Sequence, residues 1–113
     1  MFTPNYICLF GLTPFIYSSI YNINNVNSLF ILFFGLLFHT NKNNKYCRYL
    51  DIIQCFLNGG YVFYMNSDSR IYGLITLLTY LFNQNYLHSD YVHILVQLSA
   101  WRGISLYENK LTN

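Results

Sequence analysis

The chain has 113 residues, of which 54% are hydrophobic, 20% aromatic and only 9% charged. A domain bathed in water usually carries about 25% charged residues, and a small one has proportionally more surface to cover. The hydrophobicity excludes intrinsic disorder, and a net charge of +2 from scattered basic residues argues against nucleic acid as a partner. The class these numbers point to is a small multi-pass membrane protein, with the lipid bilayer as its first partner.

Five apolar stretches follow one another between short polar turns, within one domain spanning 1–113 and without internal repeats. The first covers 6–21, with Pro14 as an expected kink. Residues 22–27 (NINNVN) form a turn by composition. The second stretch covers 28–39 and is followed by the polar loop 40–45 (TNKNNK). The third covers 46–65, and Asn66-Ser67-Asp68-Ser69 closes it. The fourth covers 71–82, with Asn83-Gln84-Asn85 as the next turn. The fifth covers 87–107, ahead of a polar tail ENKLTN. Runs of 12 to 20 residues without period-two alternation favour helices. The expected fold is therefore all-α: a polytopic membrane helix bundle of about five short transmembrane helices. Stretches three and five meet the roughly 20 residues that span a bilayer core. The other three are shorter, and a helical bundle outside the membrane is the competing expectation.

Cys8, Cys47 and Cys55 form no CxxC pair and lie in apolar surroundings, so they read as buried thiols that pack as small hydrophobes. The N-terminus Met1-Phe2-Thr3-Pro4 lacks the positive region of a secretory signal.

The few ionisable residues carry the functional signal. Antiparallel neighbours alternate direction, so five helices in succession bring His39, Asp51, His88, Asp90 and His93 to the same end. Ionisable groups in an apolar bundle are costly and mark a functional interior. On the third stretch, Asp51, Gln54, Cys55 and Asn58 fall at i, i+3, i+4 and i+7, one polar stripe. On the fifth, His93 shares a face with Ser89, Asp90 and Gln97, while His88 lies about 140° away around a regular helix. Neutral imidazoles with a carboxylate or water are what zinc takes, and an open position lets zinc activate water. The candidate metal ligands are His39 and His93, with His88 a weaker third. Asp51 is the candidate catalytic carboxylate, as a ligand or as the group that orients metal-bound water. The bland alternative is that these residues serve as hydrogen-bonding glue between helices.

The segments Leu37-Phe38-His39-Thr40 and Tyr49-Leu50-Asp51-Ile52, with Ser89-Asp90-Tyr91-Val92-His93 near the end, resemble the CREST superfamily. Its members include progestin/adipoQ receptors, hemolysin-III-like proteins and alkaline ceramidases. The resemblance covers about a third of the chain. It implies a zinc ion held by His residues and hydrolysis of an amide or ester bond in a lipid. The chain departs from the pattern at two positions: the family Ser falls on Gly35, and the first His of the last motif falls on Ser89, one place after His88. Two functions are therefore expected in competition. One is a small integral membrane protein with a structural or interaction role and no catalysis. The other is a zinc-dependent lipid hydrolase.

Overall fold

A computed structural model describes residues 4–21 and 25–112. The expected kink in the first stretch is a complete break, and Pro14 is not its cause. Helix α1 covers Tyr6–Phe10 and α2 covers Thr13–Tyr21, with the interruption at Gly11 and Leu12. Pro14 occupies the first turn of α2, where a missing backbone N–H leaves no intrahelical bond unmade. Thr13 closes the interruption by donating its hydroxyl to the Phe10 carbonyl at 2.9 Å.

Helix α3 covers Val26–Thr40 and α4 covers Lys45–Met65. The expected turn at 22–27 lies outside the described residues over 22–24, and α3 begins within its remainder. Asn44 starts α4 by accepting bonds from the Tyr46 and Cys47 amides at 2.9 and 3.3 Å, which satisfies two of the donors that a helix N-terminus leaves free. A 3₁₀ turn at Ser67–Ser69 leads into α5, Arg70–Phe82. A π-turn at Asn83–Leu87 ends on His88, whose backbone is left-handed with φ 50°. Asn83 then brackets Ser89, accepting from its amide at 2.8 Å and donating to its carbonyl at 3.0 Å. Helix α6, Asp90–Thr112, starts from this reversal. The polar tail that the sequence suggests is the last turn of α6 as far as Thr112; Asn113 lies outside the described residues.

The all-α expectation holds, with no strand among the described residues. The membrane expectation does not: no helix among them is long and apolar enough to cross a bilayer. The two long helices are also the polar ones. Helix α4 has 21 residues but carries Lys45, Arg48 and Asp51 along with Gln54 and Asn58. Helix α6 has 23 residues but carries Asp90, Arg102, Glu108 and Lys110. The most apolar helix, α3, has only 15 residues, about 22 Å at 1.5 Å per residue, short of a roughly 30 Å hydrocarbon core. The multi-pass membrane localisation is corrected accordingly. Average composition overstated the apolar length of each helix because the polar residues sit inside the long helices rather than between them.

Helix α6 is the centre of the bundle, packed against α1, α2, α3, α4 and α5. The core joins Leu12, Phe15, Ile31, Val62, Ile104 and Tyr107. Gly35 lets the α1–α2 break lie close on α3, because a Cβ there would meet Leu12 Cδ2 at 2.9 Å. That approach brings α1 beside the end of α3. Of the three thiols, only Cys8 is buried; Cys47 is partly exposed and Cys55 exposed, which corrects the expectation for those two.

Candidate metal centre

Three helix ends meet at one end of the bundle: the start of α1, the end of α3 and the start of α6. Asn5 ties them together with three groups. Its amide N–H donates to the His39 carbonyl at 2.7 Å. Its Oδ1 accepts from the Cys8 amide at 3.2 Å, capping α1. Its Nδ2 donates to Asp90 Oδ1 at 3.1 Å. Ser89 caps α6 in turn, its hydroxyl accepting from the Val92 amide at 3.4 Å. The position where the resembled family has a histidine thus holds a helix cap.

Within this frame Cys8, His39 and His93 converge. One ligand atom from each, a thiol sulfur and two imidazole nitrogens, lies within 4.8 Å of the other two. The His39 and His93 rings stand 5.2 Å apart between centroids, edge to face. Cys8 and His39 are each 3% exposed, and His93 is half-buried. Gln97, one turn beyond His93 on α6, donates to the Cys8 carbonyl at 2.9 Å and lies 3.4 Å from His39 Nε2. Its Oε1 is buried without a partner. Gly11 makes room for that oxygen, since a Cβ at Gly11 would overlap it.

Burial sets the protonation of this group. It lowers His39 to about 4, helped by His93 and opposed by Asp90. Burial also lowers His93, with Asp90 again opposing. Both imidazoles are therefore neutral near pH 7, the form that binds metal. Burial pushes the Cys8 thiol up to about 12, reinforced by the charge of Asp90 and a 3.8 Å hydrogen bond to it. An ion entering here displaces a proton from sulfur and none from the imidazoles. Zinc binds thiolate at about 2.3 Å and imidazole at about 2.0–2.1 Å, so the donors need to close by roughly 1 Å. Sulfur with two imidazoles is a donor set of zinc-like character, and it fits this group.

Of the residues singled out in the sequence, His39 and His93 stand in this cluster. His88 does not join the three-donor group among the described residues; its left-handed backbone places it at the reversal before α6, where it lines a polar cleft. Asp51 lies on α4, hydrogen-bonded by Gln54 Nε2 at 3.1 Å. Gln54 Oε1 in turn accepts from Asn58 at 3.1 Å, so the polar stripe is a ladder along α4. Burial raises Asp51 to about 6 against the opposing bonds from Gln54 and Cys55. Asp51, His39 and His93 all line both the polar cleft, about 280 Å³, and an apolar cavity of about 400 Å³ walled by Phe15, Ile31 and Val62. The residue that sequence reasoning missed is Cys8. It lies 31 positions from His39 and has no spacing motif, so only the fold of α1 onto α3 and α6 identifies it. No protein-family model, curated protein or solved structure matches the chain.

Proposed function

We propose that this is a metal-binding helical protein in which Cys8, His39 and His93 hold a divalent ion of the zinc class. The observation that carries this is the mutual approach of the three donor atoms within 4.8 Å, from three separate helices. An ion there links α1, α3 and α6, so binding free energy becomes folding free energy. The function that follows is non-catalytic: the ion fixes the N-terminal helix on the bundle. Elemental analysis of the purified protein tests it, with one zinc per chain expected and none in Cys8→Ser or His39→Ala. A wild-type chain that takes up no zinc at micromolar free metal overturns the proposal.

A second reading is favoured by the place where the cavity meets the cluster. If the ion keeps an open position, Asp51 is within the same cavity to accept a proton from bound water, and a carboxylate pushed up to about 6 suits a general base near neutral pH. The apolar walls suit an acyl chain, in line with the lipid amide or ester hydrolysis that the CREST resemblance implies. The measurement is release of fatty acid from lipid amides and esters by zinc-loaded protein. Asp51→Asn is expected to lower the rate by about 10²–10⁴-fold with zinc content unchanged. Equal rates in the two proteins rule out this reading.

A further inference from the structure

Resting on the metal-centre proposal, the fourth coordination position falls beside Asp90. Asp90 opens α6 one turn ahead of His93, and residues three apart share a helix face. Its Oδ1 stands 3.8 Å from Cys8 Sγ. It is held there by Asn5 Nδ2 at 3.1 Å. Asn5 is the same residue that caps the Cys8 helix and binds the His39 carbonyl. The carboxylate is therefore located by the scaffold that locates two of the three donors.

We propose that Asp90 is the fourth ligand, making the centre a closed Cys–His₂–Asp tetrahedron. Charge is the first reason. A divalent ion with one thiolate and two neutral imidazoles carries a net charge of +1, and burying it uncompensated is costly. Lys42 and Arg48 line the same cleft and add positive charge. One carboxylate brings the centre to neutrality. Asp51 is the other carboxylate on the cleft, but it is engaged on α4 by Gln54. Geometry is the second reason. Asp90 is exposed and stands just outside the three-donor group, 3.8 Å from Cys8 Sγ, so as a ligand it would release Asn5 and turn from Cys8 towards the ion. Structural zinc sites are closed in this way, whereas catalytic ones keep a position for water. A closed centre at Asp90 makes the ion a staple and leaves the cavity without a metal-bound water.

Cobalt(II) in place of zinc makes the coordination visible. The full chain is titrated with cobalt, followed by the thiolate charge-transfer band and the visible d–d bands, and then challenged with azide. The wild type is expected to bind one cobalt with the strong bands of a four-coordinate site, unchanged by azide. Asp90→Ala is expected to bind about 10- to 100-fold more weakly and to shift its d–d bands with azide, which enters the vacated position. Asp90→Cys is expected to regain a closed site with a second thiolate band, and it serves in place of Asp90→Ala should that variant fail to fold by circular dichroism. The assignment is overturned if azide shifts the wild-type spectrum, or if Asp90→Ala binds cobalt as tightly as the wild type. A wild type that binds no cobalt removes the metal centre itself, and with it the fourth ligand.

Discussion

The two ends of the bundle solve the burial of polar groups in opposite ways. At the end where α3 begins and α6 finishes, Glu108 is 2% exposed yet matched: the Ser28 amide and hydroxyl both donate to its carboxyl group. Nearby, Asn66 donates to Ser69 at 2.7 Å and accepts from Lys110 at 2.9 Å. At the other end, Cys8 reaches Asp90 only at 3.8 Å, Gln97 reaches His39 only at 3.4 Å, and Gln97 Oε1 has no partner. At the first end the carboxyl, amide and ammonium groups pair with one another and with Ser28 and Ser69, and the hydroxyl of Ser19 is buried without a partner. The second collects good metal donors that satisfy one another poorly. Buried polar groups are normally paired, and the loosely paired ones that are also metal donors gather at the second end.

Metal should act on one end only, and this is the largest effect expected. Zinc at about 100 times its dissociation constant stabilises by about 2.7 kcal/mol, or about 10 °C in Tm for a chain of this size. Scanning calorimetry should show that rise in the wild type and in Ser28→Ala, and no rise in Cys8→Ser. A rise that survives Cys8→Ser would mean that the ion binds elsewhere.

Next in size is the loss of the closed end's pairing. Ser28→Ala removes a hydroxyl donor to a buried carboxyl group, and hydrogen bonds to such charged groups contribute about 1.5–3 kcal/mol. Urea denaturation should show this loss equally with and without zinc. A loss present only in the zinc-free protein would connect the two ends.

His39 at one end and Glu108 at the other should respond to pH with opposite signs. Burial lowers His39 from 6.5 to about 4, so the unfolded chain binds the proton first and stability falls as pH drops through that window. Burial raises Glu108, against the Ser28 bonds that oppose it. There the folded state holds the proton longer, and stability falls as pH rises above the ordinary value of 4.5. Glu108→Gln should lessen the second trend, leaving the part that Asp51 contributes with the same sign, and keep the first, as read from urea midpoints of metal-free protein between pH 4 and 7. An unchanged slope in Glu108→Gln would contradict the assignment to that residue.

Two glycines and one histidine complete the series, in falling order. Gly11→Ala should cost about 1–3 kcal/mol and weaken zinc binding, because the new methyl displaces Gln97. Gly59→Ala meets nothing within 4 Å and should stabilise α4 by about 0.5–1 kcal/mol. His88→Gly should leave zinc affinity within about twofold and relieve the left-handed backbone. A His88→Gly protein that loses its zinc would restore His88 as a ligand.

How far the site could be read from sequence differs residue by residue. The positions of His39 and His93 at one end followed from counting antiparallel segments, a rule that works whether or not a membrane surrounds them. The ladder Asp51–Gln54–Asn58 followed from helical periodicity. Cys8 was invisible because a thiol among apolar residues has the same signature as a packed hydrophobe. Ser89 in place of a histidine pointed away from a three-histidine site, yet its hydroxyl and backbone set the start of α6.

Composition and periodicity alone determined that the chain is helical, how many apolar stretches it has and which end gathers its ionisable groups. These are local or counting properties, fixed by side-chain type and the 3.6-residue repeat. Tertiary structure decided that the first stretch breaks at Gly11, that Cys8 thereby reaches His39 and His93, and that no described helix has the apolar length to cross a bilayer. Those outcomes depend on close approaches between residues far apart in the chain, such as Leu12 on Gly35 and Asn5 on Asp90, which no local pattern encodes.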